Sequence, residues 1–114
     1  MPFISVKTNA KISLDQEIGV KERLGMAITA IEGKTEDWLM VCIEDGCHLN
    51  FRGDGSVPCA MVELKIFGTA SEEEFEEMTS RITDILTVEL EIPADRIYVK
   101  YEECPNWGWS GHNF

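Results

Sequence analysis

Pro2 is the first residue of this chain that could do chemistry. Methionine aminopeptidase removes Met1 when residue 2 is small, and proline qualifies. The mature chain would then begin with a free secondary amine, and a terminal proline is a base. Taken alone, Pro2 is read more simply as the start of an edge strand, where its missing N–H costs nothing. The cysteines Cys42, Cys47, Cys59 and Cys104 contain no C-x-x-C pair. Zinc needs ligands at tight spacing, and Cys47 with His48 is the only adjacent pair. Neither a metal site nor a cofactor is expected, and the thiols are read as free, as in a cytosolic chain. The tail CPNWGWSGHNF holds Trp107, Trp109 and Phe114 in eleven residues, and no element of so small a chain obviously covers them.

The elements that position these residues follow from the periodicities. PFISVKT alternates, with Phe3, Ser5 and Lys7 on one side and Ile4 and Val6 on the other, which predicts a strand. Ser13 followed by Gln16 is a capping-box signature. Leu14, Ile18, Leu24, Ala27, Ile28 and Ile31 then trace a helical stripe, with Gly33 expected as its left-handed cap. DWLMVCIE reads as the next strand.

Moving on by 58 positions repeats the order. Pro2 maps to Ala60 at the head of AMVELKIF, Ser13 maps to Ser71 of a second capping box with Glu74, and Asp37 maps to Asp95 before RIYVKY. Phe75, Met78, Ile82, Ile85, Leu86 and Leu90 trace the second helix. This is an internal duplication of a β-α-β unit, with pseudo-repeats 2–44 and 60–101 in one domain of residues 1–114 and a C-terminal aromatic tail 102–114. Helices of this length cross over between parallel strands. Two such units give an α+β fold, a four-stranded mixed sheet with two helices on one face plus short edge strands. HLNF, in the turn-rich link between the halves, is a candidate short strand.

Such a sheet leaves its other face bare. A bare face of aromatics and aliphatics is expected to be buried against other copies, closing a ring of chains. The net charge of −11, from 21 acids and 10 singly scattered bases, offers no stripe to a phosphate backbone, so nucleic acid is not an expected partner. No apolar run approaches the ~20 residues that span a bilayer, so membrane insertion is not expected. The N-terminus lacks a signal pattern, which points to a cytoplasmic protein, or one secreted without a signal peptide.

The motifs together resemble the macrophage migration inhibitory factor (MIF) family of the tautomerase superfamily. They are Pro2 with Thr8-Asn9 soon after, Gly33-Lys34, Pro58-Cys59-Ala60, IPADRIYV from Ile92 to Val99, and WGWSGHNF at the end. Across nearly the whole chain they keep the family's order and spacing. The resemblance implies a MIF-like fold assembled as a homotrimer, sheets lining a central barrel, with a site between subunits around the terminal proline. It implies an isomerase, a phenylpyruvate tautomerase or L-dopachrome isomerase, that interconverts keto and enol forms of small aromatic 2-oxo acids or acts on dopachrome-type substrates. Pro2 would be the catalytic acid–base. A cytokine-like, MIF-mimic role at a cell-surface receptor, with vestigial catalysis, is the alternative it implies.

The other site residues also come from the resemblance. Lys34 would bind the substrate carboxylate or carbonyl as a point charge; on helix grounds it would face a helix C-terminus, and both roles can hold together. Phe67 stands where relatives have an isoleucine whose backbone N–H meets the substrate. Tyr98 matches a tyrosine supplied by the neighbouring subunit. Trp109 and Phe114 match the aromatic wall, and Trp107 replaces a smaller apolar residue. Lys100 replaces an asparagine that bonds the substrate, and would bind a carboxylate more strongly, lower the amine pKa, or turn outward. The family's C-x-x-C becomes Cys59-Ala60-Met61-Val62, which removes a thiol–disulfide role. Thr35 replaces a proline in a loop. Dehalogenation or decarboxylation ranks last, since only Arg52 and Arg96 offer the arginines such relatives place near the proline.

Overall fold

Alternation decides the sheet. In the computed structural model, which describes residues 1–114, β1 (Pro2–Thr8) and β3 (Ala60–Phe67) form the antiparallel centre. The strand β2 (Met40–Glu44) runs parallel beside β1, and β4 (Ile97–Cys104) runs parallel beside β3. The order is β2-β1-β3-β4. Ile4, Val6, Val62, Leu64 and Ile66 lie on one face and are fully buried. Helices α1 (Leu14–Ala27) and α2 (Glu72–Leu90) pack on that face and supply Val20, Leu24, Met78, Ile82 and Leu86 to the same core. Each such aliphatic side chain contributes about 1.5–3 kcal/mol on burial.

Both helices start at complete capping boxes. Ser13 and Ser71 accept from the backbone N–H of Gln16 and Glu74, whose side chains accept in return from the capping residues' own N–H groups. The 58-residue offset reaches further than periodicity suggests. The 3₁₀ turns Glu36–Trp38 and Ala94–Arg96 correspond. So do Gly33 (φ 79°) and Glu91 (φ 56°), both left-handed.

Four local expectations change. The first helix ends at Ala27 in a short 3₁₀ turn (Ile28–Ala30), and α1 is capped by Ile28 rather than Gly33. Leu14 and Ile18 are exposed. Gln16 donates to the Glu89 carbonyl and Arg23 pairs with the Glu89 carboxylate. The 16-20-24-27 side of α1 therefore faces inward, about half a turn from Leu14 and Ile18. Strand β2 begins at Met40, because Glu36–Trp38 closes a 3₁₀ turn first. HLNF forms no strand, only a bridge between Phe51 and Asp54.

The end of the chain is also more ordered than a tail. Strand β4 runs on to Cys104, past the expected boundary at residue 101, and β5 (Gly108–Trp109) pairs with β6 (His112–Asn113) in a tight hairpin. Its turn places Ser110 and Gly111 at φ 53° and 87°, the left-handed pair that matches strand twist.

The bare face also differs from the greasy surface expected. Apolar residues such as Phe3 and Met61 share it with Lys7, Lys65 and Lys100, and with Glu44, Glu63 and Glu102. Cross-strand neighbours alternate in sign: Lys7 beside Glu44, Lys100 beside Glu63, Lys65 beside Glu102. These charges cancel, so the whole excess of eleven negative charges lies off this face.

One side chain holds the long link to the sheet. The Asn9 amide donates towards the carbonyls of Leu49, Gly55 and Val57 at 3.0–3.2 Å, and its oxygen accepts from Cys59 N–H at 2.9 Å. An amide has two hydrogens, so one of these contacts is shared. Asn9→Ala strands these backbone groups and is expected to cost about 2 kcal/mol. Urea unfolding should show a lower midpoint with an unchanged slope.

Candidate active site

The site is built around the backbone of one residue. Phe67 ends β3 opposite the start of β1. Its N–H donates to the Met1 carbonyl at 2.9 Å, and its own carbonyl accepts from the Lys34 ammonium at 2.9 Å. Lys34 gets there because Gly33, at φ 79°, turns the chain after the first helix; a side chain at residue 33 would strain that turn. Helix α1 ends at Ala27, seven residues before Lys34, and the Lys34 ammonium bonds the Phe67 carbonyl and acts on the terminal amine.

The terminal amine feels both burial and Lys34. It belongs here to Met1, and its pKa falls from 8.0 to about 6, first through desolvation, then through the charge and hydrogen bonding of Lys34. The Met1–Pro2 amide nitrogen stands where the free amine of a processed chain would be. The Met1 carbonyl stands in for any other acceptor on the Phe67 N–H. Pro2 itself is buried.

A cleft of about 510 Å³ opens at this end of the sheet, lined by Pro2, Phe3, Asp37, Trp38, Met40, Trp107 and Trp109 among others. The aromatic rings at and beside it form a connected row. Trp38 meets Trp109 edge-on at 5.1 Å, Trp109 stacks on Phe114 at 6.2 Å, and Phe114 lies against Phe67 at 5.6 Å. Such pairs favour another flat ring between or beside them. Pro2, Lys34, Phe67, Trp107, Trp109 and Phe114 are thus brought together within one chain.

Tyr98 and Lys100 are not. Tyr98 pairs with Met61, which faces Lys7 rather than Pro2. That is five residues from Pro2 along the sheet, roughly 17 Å, and two strands across. Tyr98 is 62% exposed and packs edge-on against Phe51 at 5.1 Å. Lys100 lies level with Ser5 and pairs with Glu102 at 3.2 Å. Arg96 is also remote: its guanidinium donates to the carbonyls of Phe51, Asp54, Val57 and Pro58. Cys59 is buried, with its thiol 3.7 Å from the Leu49 carbonyl, and no disulfide is formed.

Trp38, Asp37 and Met40 escaped the sequence reading. Periodicity merged Trp38 into a strand, and its useful signal was an aromatic directly ahead of the apolar run.

The comparisons with known proteins show the family and the fold. The pattern defining the macrophage migration inhibitory factor family matches residues 1–114. Macrophage migration inhibitory factor of Xenopus laevis is 28% identical, over 100% of this chain and 99% of the relative. D-dopachrome decarboxylase of Bos taurus is 26% identical, over 94% and 90%. The crystal structure of Leishmania major MIF2 superposes with a TM-score of 0.92 at 32% identity, covering 100% of this chain and 97% of that one. The chain, α+β with a four-stranded mixed sheet under two helices, belongs to the macrophage migration inhibitory factor family.

Proposed function

We propose that this chain, once Met1 is removed, is a tautomerase acting on phenylpyruvate-like 2-oxo acids and dopachrome-type compounds, with Pro2 as the acid–base. The observation that carries the reading is the setting of the chain's first residues: burial and the Lys34 charge hold the Met1 amine near pKa 6, at an aromatic cleft that Pro2 also lines. A base for carbon acids has to be uncharged near pH 7. The same two causes, burial and a neighbouring lysine, act in the same direction on a Pro2 amine, and a proline ring also fixes the direction of its lone pair.

The chemistry balances without a redox partner. The Pro2 nitrogen takes the proton from the carbon beside the substrate carbonyl. The electron pair of the C–H bond becomes the C=C bond, and the carbonyl π pair moves onto oxygen. Lys34 and the Phe67 N–H, freed from the Met1 carbonyl, stabilise that oxygen or the neighbouring carboxylate. The protonated nitrogen then returns the proton to oxygen. The relatives named D-dopachrome decarboxylase support a dopachrome-type substrate beside the phenylpyruvate type. The proposed homotrimer would complete the site, with Tyr98 and Lys100 of one subunit reaching the Pro2 cleft of the next.

The test is covalent and kinetic together. Bromopyruvate, an electrophilic 2-oxo acid, is expected to add to residue 2 of the Met1-free chain and to abolish enol–keto interconversion of phenylpyruvate in parallel. Mass spectrometry locates the adduct. Full labelling of Pro2 with activity retained would remove it as the base.

The second reading is a cytokine-like ligand. The charge distribution favours it: the sheet face is neutral and the rest of the surface carries the entire acidic excess, suited to a basic receptor face. Saturable cell binding that survives bromopyruvate labelling is the result expected on this reading. No helix is long and apolar enough to cross a membrane.

A further inference from the structure

We infer that Asp37 selects substrates carrying a hydrogen-bond donor at the end remote from the carboxylate, a phenol or an indoline N–H; this deepens the reading just proposed and rests on it. Asp37 is the only carboxylate lining the Pro2 cleft. It is exposed, and no hydrogen bond or ion pair within the chain engages it. It belongs to the 3₁₀ turn that leads into β2, on one flank of Pro2. The Lys34 ammonium sits on the other flank, on the carbonyl that ends β3. Strands β2 and β3 lie on either side of β1, so the two elements these groups sit beside are about two strand spacings, ~10 Å, apart. Trp38 and Trp109 wall the space with apolar surface.

A cleft with a carboxylate on its rim, aromatic rings along its wall and a cation just beyond its Met1 end, outside the lining itself, is matched to a polar aromatic acid read in one direction. The substrate carboxylate or oxyanion goes to Lys34, and its ring lies beside the tryptophans. A distal hydroxyl or N–H then meets Asp37, which when ionised only accepts. Hydrogen bonds to a charged acceptor are the stronger kind, and a rim exposed to water keeps only part of that advantage. A distal group without a donor leaves Asp37 solvated and gains nothing. A distal anion is repelled.

The experiment reads a ratio. With the Met1-free chain, kcat/KM is measured for 4-hydroxyphenylpyruvate and for phenylpyruvate, in wild type and in Asp37→Ala and Asp37→Asn. The ratio is expected to fall ~3–10-fold in Asp37→Ala and by less in Asp37→Asn, which keeps an acceptor. A general loss of folding or catalysis would lower both substrates and leave the ratio where it was. An unchanged ratio overturns the proposal. If wild type turns over neither substrate, the tautomerase reading fails, and the role of Asp37 is then read by binding alone. Tryptophan fluorescence titrations with 4-hydroxycinnamate and cinnamate should show the same Asp37-dependent preference, and equal losses for both ligands would overturn it.

Discussion

A chain that keeps Met1 is expected to enolise phenylpyruvate at least ~100-fold more slowly than one beginning at Pro2, the range a positioned general base commands. Two losses act together. The nitrogen of Pro2 is then an amide, with no basic lone pair. The Met1 carbonyl also holds the Phe67 N–H at 2.9 Å and removes a donor the reacting oxygen would use. The Met1 amine, although uncharged above pH ~6, sits one residue too far out to replace the lost base. Pro2→Gly in the processed chain keeps an amine and frees the Phe67 N–H, but gives up the ring's fixed geometry. A smaller loss of ~10–100-fold is expected for it. Rates for the two forms, with intact masses to show where each chain begins, decide the matter. Equal rates would exclude Pro2 as the base.

Lys34→Ala is expected to lower kcat/KM by ~100-fold and to move its acidic limb upward. The sign follows from the terminal amine. In the chain that keeps Met1 that amine is lowered to about 6 by burial first and by Lys34 second, and the same two causes lower a Pro2 amine. Activity needs the uncharged amine, so it rises as pH passes through the amine's lowered pKa and levels off above it. Without Lys34 only burial remains, and the limb moves part of the way back towards the ordinary value of a terminal amine. The variant therefore loses more at pH 6.5 than at pH 8.5. Lys34→Arg keeps the charge and should keep the limb while losing fit on the Phe67 carbonyl. A limb that stays put in Lys34→Ala would mean that the lysine does not tune the base.

The elements were legible because local signals agreed with one another. Ser13 with Gln16 and Ser71 with Glu74 announce both helix starts, and alternation assigns Ile4 and Val6 to the core side. What failed were boundaries and faces. Leu14 and Ile18 are apolar at helical spacing, yet the contacts that Gln16 and Arg23 make with Glu89 fix the rotation of α1 and leave them outside. A three-residue 3₁₀ turn carries no period, so Trp38 was hidden in a strand pattern.

The site was legible in part, by kinship rather than by pattern. Nothing local says that the Lys34 ammonium reaches the carbonyl of Phe67, 33 positions away. Tyr98 and Lys100 lie too far from Pro2 along the register for one chain in this fold to unite them.

The patterned but neutral sheet face has a kinetic consequence. Copies approaching from a distance see each other's acidic exteriors and repel, because a net charge of −11 acts over the Debye length. At contact, lysine and glutamate rows of zero sum offer no such penalty. Any self-association through those faces should therefore speed up as ionic strength rises, the reverse of an encounter steered by opposite charges.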